Sequence, residues 1–381
     1  MHRFSPPAWV SLPLCLASIN LLSNCAVETS IVFMSLYARD VGSSNLEVGF
    51  IAAATGIAFL LSSLWFGRLS DTHGRMKFIR IGLGLSALAY LSQILAGTPL
   101  TLMAARGFVG FAVGINSSVI MAYTYEHQKQ IGNFVSYGAL GWLIGAIVAA
   151  IVENYHALFI ISAAVSALAF FVSFLLKEEA TSRVQVTTFP LRLIRADYRI
   201  YLAFFFRQLG GTAIWTVWPL YLASLGASKL WIAVMDASNM VGQIVAMRFV
   251  ERFNPAKMFQ TGLIISVVVF AIYGAVSHYL PLVFVQLFLA VGWSTLLIGA
   301  LSYLLRQSQE RGTVAGLLNS TMSLSGSLGP FLGGAASQAW GYVSVMYLGT
   351  GISFLAFLSS LGLKTPKGAK ATDAQPPHPH W

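Results

Sequence analysis

The sequence predicts an all-α integral membrane protein, with twelve transmembrane helices in two pseudo-symmetric six-helix bundles. Three observations carry this. Of 381 residues, 56% are hydrophobic and only 9% are charged, with 26 phenylalanines, far from the composition of a soluble domain. Basic residues alternate from one interhelical segment to the next. The second half of the chain repeats landmarks of the first at an offset of 180 to 184 residues.

A hydrocarbon core of about 30 Å requires about 20 predominantly apolar residues per helix. On that basis the spans fall at 9–37, 47–66, 78–97, 99–122, 132–152, 156–176, 200–223, 230–250, 259–277, 281–304, 312–337 and 341–362. The domains expected are an N-terminal half (1–176), a polar cytoplasmic linker (177–199), a C-terminal half (200–362) and a disordered, Pro-rich cytoplasmic tail (363–381).

The first span opens with a basic start and an apolar stretch leading to Cys25, which imitates a cleavage site. Asn24 stands where a small residue is wanted, and the apolar stretch continues to Leu36, so an uncleaved helix is expected. Cys15 and Cys25 lie about 15 Å apart along it and cannot bridge each other. Asn20, Asn24 and Glu28 recur at i, i+4 and i+8, a polar stripe suited to a cavity wall.

The second span ends in "WFGRLSDTHGRMK", a polar knot between two apolar runs. Gly67 and Gly74 permit close helix approach and a sharp reversal. Asp71 sits at the negative end of its helix dipole and needs a partner, either Arg75 or the N-terminus of the eleventh span near Gly312. Arg68, Lys77 and Arg80 read as surface charges that fix orientation.

The fourth span holds Arg106 in "RGFVG", and the fifth holds Gly138, Gly141 and Gly145, a close-packing stripe. The seventh carries Arg207, Gln208, Trp215 and Trp218. Arg207 suits either an anchor for an anionic ligand group beside the indoles, or a partner for Asp236. The eighth span presents Asp236, Asn239 and Gln243 at i, i+3 and i+7. In the eleventh, "GSLGPFLGG" again signals close packing. A charge at mid-membrane costs about 2.5–3.5 kcal/mol on an insertion scale, so Glu28, Arg106, Arg207 and Asp236 should face one another or a wet cavity.

The formal charge of +10 would suit nucleic acid if the basic residues formed one patch. Instead, with a cytoplasmic N-terminus, nineteen of the 23 Lys and Arg fall on the cytoplasmic side and only Arg39 and Lys229 outside, the positive-inside pattern. Both termini are therefore expected in the cytoplasm and no nucleic-acid partner is expected. No G-x-x-x-x-G-K-[ST], G-x-S-x-G or H-E-x-x-H occurs, so phosphate-loop and common hydrolase chemistry have no residues behind them, and neither a cofactor nor a metal is called for.

The repeat is specific. "LYARDVGSSNL" at 36–46 matches "LYLASLGASKL" at 220–230, and Arg68, Asp71, Lys77, Gly82 and Leu83 face Arg248, Glu251, Lys257, Gly262 and Leu263. Equal orientation of the halves implies a pseudo-axis along the membrane normal. With that plan, "GRLSDTHGR" from Gly67 to Arg75 resembles the signature loop of the major facilitator superfamily, G-x-L-[SA]-D-x-x-G-R, with Thr72 where a basic residue is usual. "RGFVG" resembles the superfamily's second motif, found in proton-coupled members.

The resemblance implies a secondary transporter of the cell membrane, possessed of the superfamily fold and working by alternating access, not an enzyme. It makes Gly67, Asp71, Gly74 and Arg75 a cytoplasmic latch between the halves. The reading that follows is a monomeric drug/proton antiporter that exports a small organic molecule. Glu28, Arg106 and Asp236 are the proton-coupling candidates, and Asn20, Asn24, Arg207, Gln208, Trp215, Trp218, Asn239 and Gln243 the cavity candidates. A proton-coupled importer of a sugar or organic anion, and a non-transporting receptor or scaffold, are the alternatives.

Overall fold

The computed structural model describes residues 12–127, 131–176, 191–250, 253–308 and 311–363. Lys129, Glu251, most of the linker and the tail beyond 363 lie outside the described residues, as does the side chain of Asp71.

The first span is α1 (Leu12–Ile31) continued, after a two-residue turn, by α2 (Met34–Asp40). The N-terminal half continues with α3 (Asn45–His73), α4 (Arg75–Ser92), α5 (Pro99–His127), α6 (Ile131–Val152) and α7 (Tyr155–Val172). A short α8 (Leu191–Ala196) precedes α9 (Tyr198–Ser224), α10 (Lys229–Val250), α11 (Pro255–Ala275), α12 (Leu282–Gln307), α13 (Arg311–Trp340) and α14 (Tyr342–Ser360). Counting α1 with α2, six long rods fall in each half, the arrangement the hydropathy pattern predicts.

Local signals set the helix starts. Ser44 caps α3 by accepting a hydrogen bond from the Glu47 amide, while Glu47 accepts from the Ser44 amide at 2.7 Å, a reciprocal capping box. Asn154 caps α7 and Asn254 caps α11, the latter with Pro255 at the first helical position. Among the described residues, nine helices are long and apolar enough to cross a membrane by length and composition. The 27-residue α9 and 30-residue α13 are not among them, because Arg207, Gln208 and many Gly and Ser residues dilute their apolar character. Leu88, Phe171, Phe284 and Phe288 are more than half exposed, as lipid-facing side chains should be.

The halves pack alike. Within the first, α1 packs on α6 and α7, and α5 on α3 and α4; within the second, α9 packs on α13 and α14, and α12 on α10 and α11. Gly82 shows the repeat at atomic scale. A Cβ there would lie 2.7 Å from the Asn116 amide nitrogen, and one on Gly262 would lie 2.6 Å from the Leu296 amide nitrogen. Both pairs are related by 180 residues, and so are the hydroxyls of Ser86 and Ser266, which donate to the carbonyls of Gly82 and Gly262 at 2.7 and 2.8 Å.

Two seams join the halves, α3 against α13 and α6 against α10. The first is a glycine contact on both sides. Cβ atoms on Gly49 and Gly56 would stand 2.6 Å from the Pro330 carbonyl and 2.7 Å from the Gly326 carbonyl, so any side chain there would push the halves apart. At the end of the bundle bearing the 41–44 turn, one apolar cluster draws on both halves, with Phe33, Ala149 and Leu158 beside Trp218, Tyr273 and Met346. At the Gly74 end, one core is built wholly from the first half, around Ile79 and Ile115, and another wholly from the second, around Phe259 and Leu304. The molecule is thus bound together at one end and separately cored at the other.

Candidate functional site: the cavity between the halves

A cavity of about 450 Å³ lies between the halves. Its wall takes Val27, Ile31 and Met34 from the first rod, Thr55 and Phe59 from α3, Tyr90 from α4, Arg106 and Val109 from α5, and Trp142 from α6. The second half contributes Thr212, Trp215 and Pro219 of α9 and Pro330 of α13. Pro219 and Pro330 interrupt their helices' hydrogen-bond ladders beside the cavity, where backbone irregularity is tolerated. Gly110 makes the close fit of α5 on α3 possible, since a Cβ there would overlap the Thr55 carbonyl.

Of the residues singled out from sequence, this cavity receives Arg106 and Trp215. Arg106 is 4% exposed, and its Nη1 donates to Ser30 Oγ at 3.2 Å and Gln93 Oε1 at 3.3 Å. These neutral partners orient the guanidinium without cancelling its charge, and Nε has no hydrogen-bond partner. Its hydrogen bonds therefore go to Ser30 and Gln93 and not to Glu28, its fellow candidate for proton coupling. Helical geometry explains this. Glu28 and Ser30 are two residues apart, so they point to nearly opposite faces of α1.

Trp218 is corrected. It does not form the cavity wall but is 1% exposed inside the cross-half cluster, with its ring 4.6 Å from that of Tyr273. Three residues along a helix leave a net offset of about 60°, and the Trp218 ring falls on the side of α9 that packs into the cluster while Trp215 lines the cavity. Arg207 is corrected as well. It lies away from this cavity, 3% exposed, donating from Nε to Ser266 Oγ at 2.9 Å and from Nη1 to Gln208 Oε1 at 3.0 Å. Its guanidinium stands 5.4 Å from the Phe270 ring centre and 5.1 Å from that of Trp293. Neither alternative drawn from sequence describes it: the cation is held inside the second half by a hydroxyl, an amide and two ring faces, not by Asp236.

The other polar stripes are mainly helix-to-helix ties. Asn20 Nδ2 donates to the Phe134 carbonyl at 2.6 Å, and Asn24 Nδ2 to Asn20 Oδ1 at 2.9 Å. Asn24 Oδ1 accepts from the Trp142 indole at 2.7 Å, so it stands behind the cavity and sets the orientation of a residue that lines it. Asn239 Nδ2 donates to Gln286 Oε1 at 3.0 Å, and Gln243 Nε2 to Asn239 Oδ1 at 2.6 Å, binding α10 to α12. None of Asn20, Asn24, Gln208, Asn239 and Gln243 lines this cavity.

Glu28 and Asp236 do come together. Glu28 is 3% exposed, opposite Gly145, where a Cβ would lie 2.7 Å from that of Glu28. Asp236, 9% exposed on the facing half, lies within electrostatic reach of it, and its Oδ1 has no hydrogen-bond partner. The small-residue stripe Gly138, Gly141 and Gly145 makes this approach possible by seating α1 directly on α6, which in turn packs on α10.

In the polar knot, α3 ends at His73 and α4 begins at Arg75, with Gly74 between them at φ 89°. Gly67 is different: a Cβ would meet Ser118 at an ordinary 3.7 Å, so the close approach expected at that position is not needed. Arg75 is buried at 8% exposure, while the Asp71 side chain lies outside the described residues.

Sequence reasoning missed Trp142, Tyr90, Phe59 and Thr212 as wall residues. Trp142 carried a usable signal, an amphipathic indole beside the glycine stripe of an otherwise apolar span. Phe59 carried none, because a lipid-facing and a cavity-facing phenylalanine look the same in sequence.

The family model described as Major Facilitator Superfamily matches residues 16–198 and again 200–380. Among curated proteins, the chain is 24% identical over 327 residues to Quinolone resistance protein NorA of Staphylococcus aureus (strain MSSA476), covering 79% of this chain and 84% of that one. It is also 24% identical to Multidrug resistance protein MdtG of Klebsiella pneumoniae (strain 342), covering 94% of each. Among solved structures, the nucleoside transporter NupG superposes with a TM-score of 0.76 at 14% identity, covering 93% of this chain and all of that one. The human organic anion transporter MFSD10 superposes with a TM-score of 0.69 at 16% identity, covering 92% and 98%.

Proposed function

The chain belongs to the major facilitator superfamily, whose members are transporters and not enzymes, and on that premise we propose that it exports a small organic molecule across the cell membrane in exchange for protons. The observation that carries this reading is the cavity walled by both halves, beside an apolar cluster that joins them at one end. Sites at a repeat interface, served by rocking of one half against the other, are the working principle of such carriers. The positive-inside pattern favours a cytoplasmic Gly74 end, and the cross-half cluster at the opposite end supports reading this state as closed to the outside and served from within. The names of the relatives in Staphylococcus and Klebsiella, which speak of drug resistance, favour export.

Glu28 and Asp236 supply the coupling. Glu28 on α1 and Asp236 on α10 lie within electrostatic reach of each other, and two like charges at membrane depth repel, so that a proton held by the pair relieves the repulsion. Proton loss then favours separation of the halves on that side, while proton capture favours closure. One charge crossing 100 mV yields about 2.3 kcal/mol, roughly fifty-fold accumulation. Asp71, Gly74 and Arg75 form the cytoplasmic latch of the opposite state, in which the halves meet at the Gly74 end.

The test is proton movement in proteoliposomes with an internal pH dye, challenged with pooled lipophilic cations, organic anions and sugars. A substrate-triggered pH change, absent in Glu28→Gln, is expected, with the sign of exchange. A change of the opposite sign would mean cotransport, and an unchanged response in the variant would remove Glu28 from the coupling.

A further inference from the structure

Arg106 is the charged side chain among the described residues that line the cavity, and no carboxylate lines it beside it. The cation is buried, and it is fixed by Ser30 and Gln93, which are neutral. Gln93 Nε2 donates to Ser30 Oγ at 3.2 Å, so the two partners also satisfy one another and hold a rigid frame behind the guanidinium. Its Nε is left without a partner. A guanidinium that is oriented, desolvated and not neutralised is a ready partner for an oxyanion, which its remaining Nη2 can meet with a charge-assisted hydrogen bond.

The rest of the wall suits a flat apolar body. Trp142 uses its indole N–H on Asn24 and turns its ring toward the cavity from the first half, and Trp215 lines the cavity from the second. The volume, about 450 Å³, is at the scale of a ligand with two or three fused rings. A lipophilic cation would meet the wrong charge here, with no acid among the described lining residues to receive it.

We propose that the cavity takes aromatic carboxylates, the anion on the guanidinium of Arg106 and the ring system against Trp142 and Trp215. This rests on the reading of the cavity as the transport site and narrows its substrate class. It also assigns Arg106 to cargo, leaving proton traffic to Glu28 and Asp236.

The experiment uses the full-length protein in phosphatidylcholine nanodiscs and a matched set of probes with one ring system: 2-naphthoate, 2-naphthalenemethanol and 2-naphthylmethylammonium. Binding is read by quenching of tryptophan fluorescence. The expected result is an order preferring the carboxylate over the alcohol by tenfold or more, with the ammonium compound weakest, and a loss of at least tenfold for naphthoate alone in Arg106→Gln. The comparison of probes on the unaltered protein needs no variant, so it stands even if Arg106→Gln fails to fold. Equal or tighter binding of the ammonium probe, or no naphthoate binding up to millimolar concentration, overturns the proposal. Proton flux with the same probes separates the two readings. Flux triggered by the cation and not by naphthoate sinks the anion proposal and leaves export intact; Arg106-dependent naphthoate binding with no flux for any probe sinks proton exchange and leaves this site standing.

Discussion

At the scale of single residues, burial sorts the intramembrane charges into different employments. Arg207 illustrates the structural kind, with every contact made inside its own half. Replacing it with Met should leave substrate affinity within about twofold while lowering stability by about 2–4 kcal/mol, since a charge-assisted bond and two ring contacts go together. Thermal unfolding in detergent, measured beside substrate binding, would separate this from an anchor's role, which would cost affinity first. Glu28 should behave in the opposite way. Glu28→Gln keeps shape and polarity, so folding and cargo binding should survive while substrate-driven proton movement is lost. Trp142 should depend on its support: Asn24→Leu removes the acceptor of the indole N–H, and a weakening of substrate binding by about tenfold is expected, with the cost of an unpaired buried donor as the cause.

At the scale of helices, glycine has separable meanings that the structure distinguishes one by one. Gly141 needs its bareness for packing, because a Cβ would overlap the Leu21 carbonyl on α1. Gly141→Val should abolish folded yield or shift the melting temperature by many degrees. Gly107 has open space around the same position, so Gly107→Ala in α5 should be neutral or stabilising by about 0.5–1 kcal/mol. Gly74 needs bareness for its backbone. At φ 89° it reverses the chain between α3 and α4, and Gly74→Ala should cost about 1–3 kcal/mol, whereas Gly67→Ala should be tolerated. Comparing the two in thermal denaturation would show whether the signature loop is constrained at its turn or throughout; equal losses would contradict the geometry.

At the scale of the whole molecule, the fold is two similar bundles held together by contacts that the proposed rocking would have to break in turn. At the 41–44 end, Lys229 of the second half donates to the Glu153 carbonyl at 3.0 Å and stands 3.8 Å from the ring centre of Tyr155. Glu153 presents that carbonyl from a left-handed backbone at φ 52°, and Tyr155 in turn donates to Asp40 at 2.8 Å. On the other side of the bundle, Asn45 Nδ2 donates to the Ser337 carbonyl at 3.2 Å, and Tyr342 donates to Asn45 Oδ1 at 3.2 Å. Lys229→Met removes one such tie, and an exposed cation over a ring contributes about 0.5–1 kcal/mol. The population closed at this end should fall by about two- to fivefold relative to the open one, measurable as interspin distances between labels on the 41–44 and 225–228 turns. An unchanged distribution would mean that the apolar cluster alone holds this end.

The sequence by itself determined the class, the number of spans, the repeat and the packing role of Gly138, Gly141 and Gly145. Each follows from a constraint that acts along the chain: apolar length against bilayer thickness, landmarks at constant offset, small residues at helical spacing. Which polar side chains line the cavity between the halves was decided only by the tertiary structure. A polar stripe within a bundle has two physical solutions, a neighbour in its own half or the cavity between halves, and helical periodicity satisfies both. Asn239 and Gln243 took the first, Arg106 the second, and Asn24 serves the cavity from behind. The choice rests on the rotation of each helix about its axis, which is set by what packs on its other faces, and that information belongs to no single helix.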